Sequence, residues 1–339
     1  MEIKNLKISN YKSIKHIELK DINSFSVFVG PNAAGKSNIF EALDFFNQCY
    51  IKSDAFDALR LFGKIEDILN RNTDIYKNIA VGFILNNDLD PHIEIMDHPS
   101  SFSAYGHNLI IKDSYNLATQ ESELGKFDTP ELKQFYNFTH LFIGNSKVKR
   151  NNYIDDLRLN ADASNLELVL KRILKNEILK EELIEELQLL IPGFDNIEVR
   201  SDEISGTDTL LVYEQGTKKP FGKNLLSDGT YNIISLLVAV YQSEKPQFLC
   251  IEEPENGLNP FVAKEFVRIF RDACTNKGHF IWINTHSQSI LSELKQKEVI
   301  IVDKINGGTI AKQIDNIDLH GLKLDEALFT NVLGGGTPW

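Results

Sequence analysis

The chain has 339 residues, with 36 Lys and Arg against 48 Asp and Glu, a formal charge of −12. Hydrophobic residues make up 42% and charged residues 25%, which sets aside collagen-like, disordered and coiled-coil classes. No run of about 18 apolar residues offers a membrane span, and the acidic balance weighs against nucleic acid as the default partner, because phosphate binding needs a basic face.

The three cysteines, Cys49, Cys250 and Cys274, form no CxxC pair, so they read as core residues in a reducing cytoplasm, and Met1-Glu2-Ile3-Lys4 has no apolar leader. Ile3–Ile8 and Ile14–Leu19 roughly alternate apolar and polar residues, the pattern of half-buried strands. Phe25–Val29 is continuously apolar and reads as a deeply buried strand, followed by a glycine-containing loop and a helix through Asn38–Leu43. Ile79–Leu85, His92–Ile95 and Asn108–Ile111 form a predicted antiparallel meander. Leu141-Phe142-Ile143 reads as a short buried strand, and Lys147-Val148-Lys149-Arg150 as a local basic run. Ser164-Asn165-Leu166-Glu167 has capping-box spacing and opens a helix. A second helix runs from Glu177 to Leu190 and stops at Pro192-Gly193, so 116–195 reads as a mostly helical insertion. Strands follow at Ile197–Val199 and Thr209–Tyr213. From 225 to 302, helices at Tyr231–Tyr241 and Phe261–Ala273 alternate with strands at Phe248–Ile251, Phe280–Ile283 and Val299–Val302, an α/β pattern with a parallel sheet.

Gly30-Pro31-Asn32-Ala33-Ala34-Gly35-Lys36-Ser37 matches GxxxxGK[ST], between a buried strand and a helix. Glycines let the backbone approach phosphate oxygens, and the following helix points its N-terminus at the anion. Lys36 is the residue that reaches the β/γ-phosphates, and the Ser37 hydroxyl is the Mg²⁺ ligand. Phe248–Ile251 delivers Glu252 and Glu253 at its C-terminal end, where ligands of open α/β sheets sit. Successive strand residues point to opposite faces, so Glu252 suits the metal and its water shell, and Glu253 the attacking water. Leu226-Ser227-Asp228-Gly229-Thr230 precedes an apolar helix, with Ser227 or Asp228 as its cap. Ile281–Asn284 runs into Thr285-His286-Ser287, placing His286 at a strand end where it could touch a γ-phosphate.

Taken in this order, the motifs resemble those of ABC-type ATPases of the SMC/Rad50/RecF branch. Within it they are most similar to the ATPase half of the OLD (overcoming lysogenization defect) family and to stand-alone AAA-family defence ATPases. Asn10-Tyr11-Lys12-Ser13-Ile14, the Walker A Gly30–Ser37, Ser164-Asn165-Leu166, the signature Leu226–Thr230, the Walker B Glu252–Pro260 and the switch Thr285-His286-Ser287 carry the resemblance over nearly the whole chain. It implies an α/β ABC-type head: N-terminal antiparallel strands, a parallel core and a small helical lobe, divided as 1–115, 116–195 and 196–339. It implies ATP and Mg²⁺ as cofactors, with nucleotide contacts from Lys12, Gly30, Asn32, Ala33, Ala34, Gly35, Lys36, Ser37 and Asn38. It further implies a head-to-head dimer around two ATPs, with Ser227 and Gly229 reaching the γ-phosphate in trans and Asn256–Asn259 as the D-loop. Glu252 stands where ABC proteins at large carry Asp, Asn259 where relatives often carry His, and Asn232 where an arginine often follows the signature. The last two departures point to slow hydrolysis.

The expected function is an ATP-hydrolysing switch that regulates a separate effector, a nuclease or toxin, in bacterial anti-phage defence. The short stretch after Val302 leaves no room for the TOPRIM nuclease of OLD proteins, and Leu333–Trp339 is a candidate docking tail. The alternative is a RecF-like DNA-repair ATPase that clamps DNA. A kinase or GTPase would share only the P-loop, and the chain has no NKxD motif.

Overall fold

The computed structural model describes residues 2–52, 55–72, 79–85, 92–98, 108–112, 137–143, 156–202, 206–315, 317–319, 321–330 and 333. The basic run at 147–150, much of the 116–155 stretch and the C-terminal tail beyond 333 lie outside the described residues.

Strands β1 (Ile3–Tyr11) and β2 (Ile14–Ile22) pair antiparallel, with Leu6 opposite Leu19 and Ile8 opposite Ile17. Leu6, Ile8, Ile17 and Leu19 are buried, while Lys7 and Glu18 between them are exposed, the pattern of a half-buried pair. Strands β4 (Ile79–Leu85), β5 (His92–His98) and β6 (Asn108–Lys112) extend β1 outward as an antiparallel meander. The central strand β3 (Phe25–Val29) is wholly buried and runs parallel to β12 (Phe280–Thr285) and β13 (Val299–Ile305). Beyond β12 lie β11 (Phe248–Glu252) and the edge strand β7 (Phe138–Leu141), both parallel to it. With β14 (Gly308–Gln313) between β2 and β13, one mixed sheet results, in the order β6-β5-β4-β1-β2-β14-β13-β3-β12-β11-β7.

Alternation along the parallel strands separates two cores. Phe28, Phe248, Cys250, Trp282 and Ile300 face one side, against α1 (Lys36–Lys52) and α2 (Ala55–Phe62). There Trp282 meets Phe248 edge-on at 4.8 Å between ring centroids. Val27, Leu249, Ile251, Ile281 and Ile301 face the other side. They pack against α4 (Leu166–Ile173), α5 (Glu177–Leu190), α6 (Asp228–Tyr241) and α7 (Pro260–Asn276). A small sheet of β8 (Phe194–Ser201), β9 (Asp208–Glu214) and β10 (Phe221–Gly222) packs on α4 and α5 through Ile197, Leu210 and Val212. The short α3 (Ile65–Ile68), α8 (Gln288–Leu291) and α9 (Leu324–Phe329) are further elements among the described residues. All three cysteines are buried and unbridged. Among the described residues no helix is long and apolar enough to cross a membrane.

Three local expectations are corrected. The short buried strand expected at 141–143 runs instead over Phe138–Leu141 and belongs to the main sheet rather than to a helical insertion; Phe138 packs on Phe248 at 5.5 Å, a cross-strand contact invisible to local periodicity. Ser164 and Glu167 form no capping box. The N-cap of α4 is Asn165, whose side chain instead bonds Asn160 N and Arg158 O, and Glu167 pairs with Lys223 at 3.0 Å. Strand β14 (Gly308–Gln313) is an element beyond those expected; it forms a hairpin with β13 through Asn306-Gly307, both with positive φ, and lies parallel to β2.

His279 precedes β12 and is fully buried, and burial, with Lys277 nearby, pushes its imidazole down to about 4. The unfolded ring takes up its proton near 6.5, so this stabilisation is complete above that pH and is lost as pH falls toward 4. The loss amounts to up to about 3 kcal/mol. Urea midpoints at pH 7 and pH 5 should show it, and His279→Gln should flatten the difference.

Candidate functional site

Parallel strands β3, β11 and β12 end at one edge of the sheet, with Thr285 opposite Val29 and Asn284 opposite Glu252. Their outgoing loops therefore converge, as at other carboxyl edges of α/β sheets. The loop after β3, Gly30–Ser37, wraps tightly against β13 and β14. A Cβ on Gly30 would stand 1.9 Å from the Val302 carbonyl oxygen, and one on Gly35, whose φ is +105°, 2.1 Å from Thr309 Oγ1. Gly30→Ala must therefore push the loop off β13. Overpacking of this kind costs about 1–3 kcal/mol, so a lowered melting temperature together with weakened nucleotide binding is the expected result.

Lys36 is 6% exposed, and its Nζ donates to Gly30 O at 2.7 Å, to Pro31 O at 3.0 Å and to His286 Nε2 at 2.9 Å. Burial pushes the ammonium down to about 8, against the opposing charges of Glu253, Glu252 and Glu255. Burial and the Lys36 charge also hold the His286 imidazole below its ordinary value, which suits Nε2 as an acceptor.

The Glu252 carboxylate is 5% exposed and anchored at both oxygens. Oε2 accepts from the Ser37 hydroxyl and from Asn284 Nδ2 at 3.2 Å; Oε1 accepts from His140 Nε2 at 2.8 Å. Behind His140, the Asp44 carboxylate lies 3.7 Å from Nδ1. Burial alone would push Glu252 up, yet the bond and charge of His140, with the Ser37 and Asn284 bonds, hold it below the ordinary carboxylate range. For His140 burial pulls down, but Asp44 and Glu252 prevail and raise it to about 9.

Glu253 turns away from that web. It sits in the left-handed region at φ 46°, held by its N–H to Asn284 O at 3.1 Å and Oδ1 at 3.0 Å. Its Oε2 accepts from Asn256 Nδ2 at 3.0 Å. Such a φ in a non-glycine residue stores strain of the kind that clusters at functional sites. Glu255 ties the two loops together, accepting from Thr285 Oγ1 at 2.6 Å and from His286 N at 3.0 Å.

Lys12 pairs with Glu41 of α1, while Ser13 Oγ meets Thr309 Oγ1 and Asn38 Nδ2, each at 2.6 Å. Thr309 in turn donates to Ala34 O at 2.7 Å. Lys12, Ser13, Asp67, Arg71, Asn72 and Lys304 line a cavity of about 440 Å³ beside the loop. Asn32 and Ala33 lie exposed at the loop's tip.

Ser227 and Gly229 are elsewhere. Ser227 caps α6, accepting from Thr230 N at 3.1 Å. Gly229 packs against the D-loop so closely that a Cβ would be 2.5 Å from Gly257 O, and Asn232 donates to Asn256 O at 2.6 Å. Asn259 caps α7 ahead of Pro260. Among the described residues, no hydrogen bond of the Gly30–Asn38 segment reaches Ser227 or Gly229.

His140, Asp44, Asn284 and Thr309 join the site without belonging to any of the sequence motifs. Asn306-Gly307 between apolar runs is a hairpin signal that points to Thr309. His140 has no comparable local signal, since its partner is set by the β7–β11 register.

The family described as "AAA domain, putative AbiEii toxin, Type IV TA system" matches residues 25–292, well over half of the chain. The chain is 26% identical over 264 residues to the DNA replication and repair protein RecF of Rickettsia canadensis, covering 69% of this chain and 65% of that protein. The chain thus spans just under two thirds of that relative. It is 21% identical over 339 aligned residues to an ATP/GTP phosphatase of Helicobacter pylori, covering 87% of this chain and 88% of the other. Among solved structures, an Smc head bound to the C-winged helix domain of ScpA superposes with a TM-score of 0.60 at 15% identity, covering 91% of this chain and 96% of that one. An Smc head from Pyrococcus furiosus, bound to the C-terminal domain of ScpA, gives 0.57 at 15% identity over 98% and 99%. At such identity these two establish the fold alone. The chain belongs to the AAA-domain family that matches it, and it is an ABC-type ATPase of the SMC/Rad50/RecF branch.

Proposed function

We propose that the chain is an ATP-driven switch: two heads close on two ATPs, hydrolysis at Glu253 lets them part, and the state of the pair regulates a separate effector. One observation carries this reading. The phosphate-side groups, Lys36, Ser37, Glu252, Glu253 and His286, converge at one sheet edge, while Ser227 and Gly229 pack on the D-loop, which meets that edge through Asn256 and Glu253, and among the described residues make no hydrogen bond to the Gly30–Asn38 loop. That second surface is flanked by Leu225 and Phe261, 72% and 56% exposed, an apolar character that a second head would cover. Each site is then built from two chains.

In this scheme the backbone of Gly30–Asn38 cradles the phosphates, Lys36 exchanges its carbonyl and His286 partners for phosphate oxygens, and Lys12 flanks the nucleotide from the adjoining cavity. Ser37 and Glu252 offer the hard oxygen donors that Mg²⁺ takes, and the carboxylate is held anionic, so the pair fits that ion. When bound, Mg²⁺ would neutralise charge on the phosphates. Glu253 accepts the proton of the attacking water, and His286 contacts the γ-phosphate. Ser227 and Gly229 reach the same phosphate from the partner. The division 1–115, 116–195 and 196–339 is retained with strand 138–141 assigned to the ATPase sheet.

Membership of a family described as a putative AbiEii toxin of a type IV toxin–antitoxin system supports the defence role. The RecF relative favours a second reading, an ATPase that clamps DNA. DNA-stimulated hydrolysis would select the second; indifference to DNA would select the first.

The shared site has a direct test. Lys36→Ala and Ser227→Arg should each be inactive alone. Mixed in equal amounts they should recover about a quarter of wild-type turnover, because half the dimers are mixed and each holds one intact site. No recovery on mixing, with both variants folded, would show that one chain forms the site by itself.

A further inference from the structure

We propose that His140 and Asp44 are positioning residues that hold the Glu252 carboxylate in the orientation presenting Oε2 to Ser37, and so set the affinity for Mg²⁺. The inference rests on the reading of Glu252 as the metal-side acid.

A glutamate carboxylate, on three rotatable bonds, has no fixed direction of its own. Here each oxygen has its own anchor. Oε2 faces Ser37 and Asn284, and Oε1 is taken up by His140 Nε2 at 2.8 Å. Without His140, Oε1 would be a buried acceptor with no donor, a state that native structures avoid and that would pull the carboxylate off Ser37.

The anchor is itself fixed. β7 pairs with β11 so that His140 lies opposite Cys250, two residues before Glu252. The Phe40 ring meets the imidazole edge-on at 6.1 Å, and Asp44 lies 3.7 Å behind Nδ1. Ser37 and Asp44 are both on α1, seven residues and about two turns apart, hence on one face. The same helix supplies the hydroxyl in front of Glu252 and the carboxylate behind its histidine. A carboxylate–histidine unit that orients a metal-side ligand is a recurrent outer-shell device, and removing one costs on the order of 10–100-fold in metal affinity.

The test uses His140→Phe, which fills the space without a donor, His140→Gln, which restores one, and Asp44→Asn. Thermal melts check folding. Mn²⁺ binding to the ATP-loaded full chain, read by electron paramagnetic resonance, gives metal affinity apart from turnover, and ATP binding in EDTA serves as reference. His140→Phe should bind Mn²⁺ about 10-fold or more weakly with ATP affinity in EDTA unchanged. His140→Gln should recover most of the loss, and Asp44→Asn should show a smaller one. Wild-type Mn²⁺ affinity in folded His140→Phe, or in Asp44→Asn should the Phe variant not fold, overturns the proposal. Glu252→Ala separates the two levels: if it leaves Mn²⁺ affinity unchanged, the reading of Glu252 fails, whatever His140 does.

Discussion

Lys36→Ala is expected to leave the fold intact and to remove nearly all ATP hydrolysis. The side chain is buried, yet its ammonium is satisfied by two carbonyls of its own loop and by His286, all at the mouth of the sheet edge. Alanine therefore frees Pro31 O and His286, which lie at the partly open side of the loop, and the cores around Phe28 and Val27 are untouched. The loss falls on the phosphates. A hydrogen bond to a charged group contributes about 1.5–3 kcal/mol, so nucleotide affinity should drop by roughly 10- to 100-fold. Removing a preorganised donor at developing charge costs about 10²–10³ in turnover. Titration calorimetry with a non-hydrolysable ATP analogue, beside a phosphate-release assay, measures both losses. Near-wild-type turnover would remove Lys36 from the role assigned to it.

Glu253→Gln should separate binding from chemistry. The residue's backbone is held at φ 46° by two bonds to Asn284, and those bonds involve its N–H, which the amide variant keeps. The amide oxygen can still accept from Asn256, so the D-loop contact survives. What disappears is the capacity to take a proton from water. General-base catalysis supplies about 10²–10⁴-fold, and turnover should fall by that factor while ATP binding stays within a few-fold of wild type. Glu252→Gln should behave differently. Its carboxylate accepts from Ser37, Asn284 and His140 together, and an amide offers one oxygen where the web needs two. Metal affinity and stability should both suffer there. Equal loss of nucleotide binding in the two variants would contradict the division of labour between the adjacent glutamates.

The parts of this arrangement that rest on local pattern are legible in the amino-acid sequence. Alternation marks β1 and β2, the unbroken apolar run marks β3 as buried, and GKS after that strand marks the phosphate loop. Glu252 and Glu253 are legible as a pair at the end of β11, but the facing of Glu253 comes from its left-handed backbone at φ 46° just past the strand, which strand alternation does not predict. The mixed sheet of antiparallel and parallel strands agrees with that pattern. Pairings across strands far apart in sequence are not legible. His140 gains its meaning from sitting opposite Cys250, more than 100 residues away, and a histidine among Phe138, Thr139 and Leu141 carries no local mark of that. Ser164 and Glu167 show the opposite failure. Their spacing is right for a reciprocal cap, but Asn165 and Asn160 compete for the same backbone, and Lys223 draws Glu167 away. Thr309 is hidden for a smaller reason: it becomes visible only once the Asn306-Gly307 turn is taken as a hairpin, which supplies the strand that braces Ala34 and Ser13.

In the proposed switch, ATP itself joins two heads and hydrolysis parts them. The most direct measurement is the mass in solution of the Glu253→Gln chain, by light scattering, with no nucleotide, with ATP and with ADP. A single-chain mass is expected without nucleotide and with ADP, and twice that mass with ATP. Ser227→Arg placed in the same chain should abolish the doubling. A mass that stays the same in all three conditions, with ATP shown to be bound, would contradict the switch.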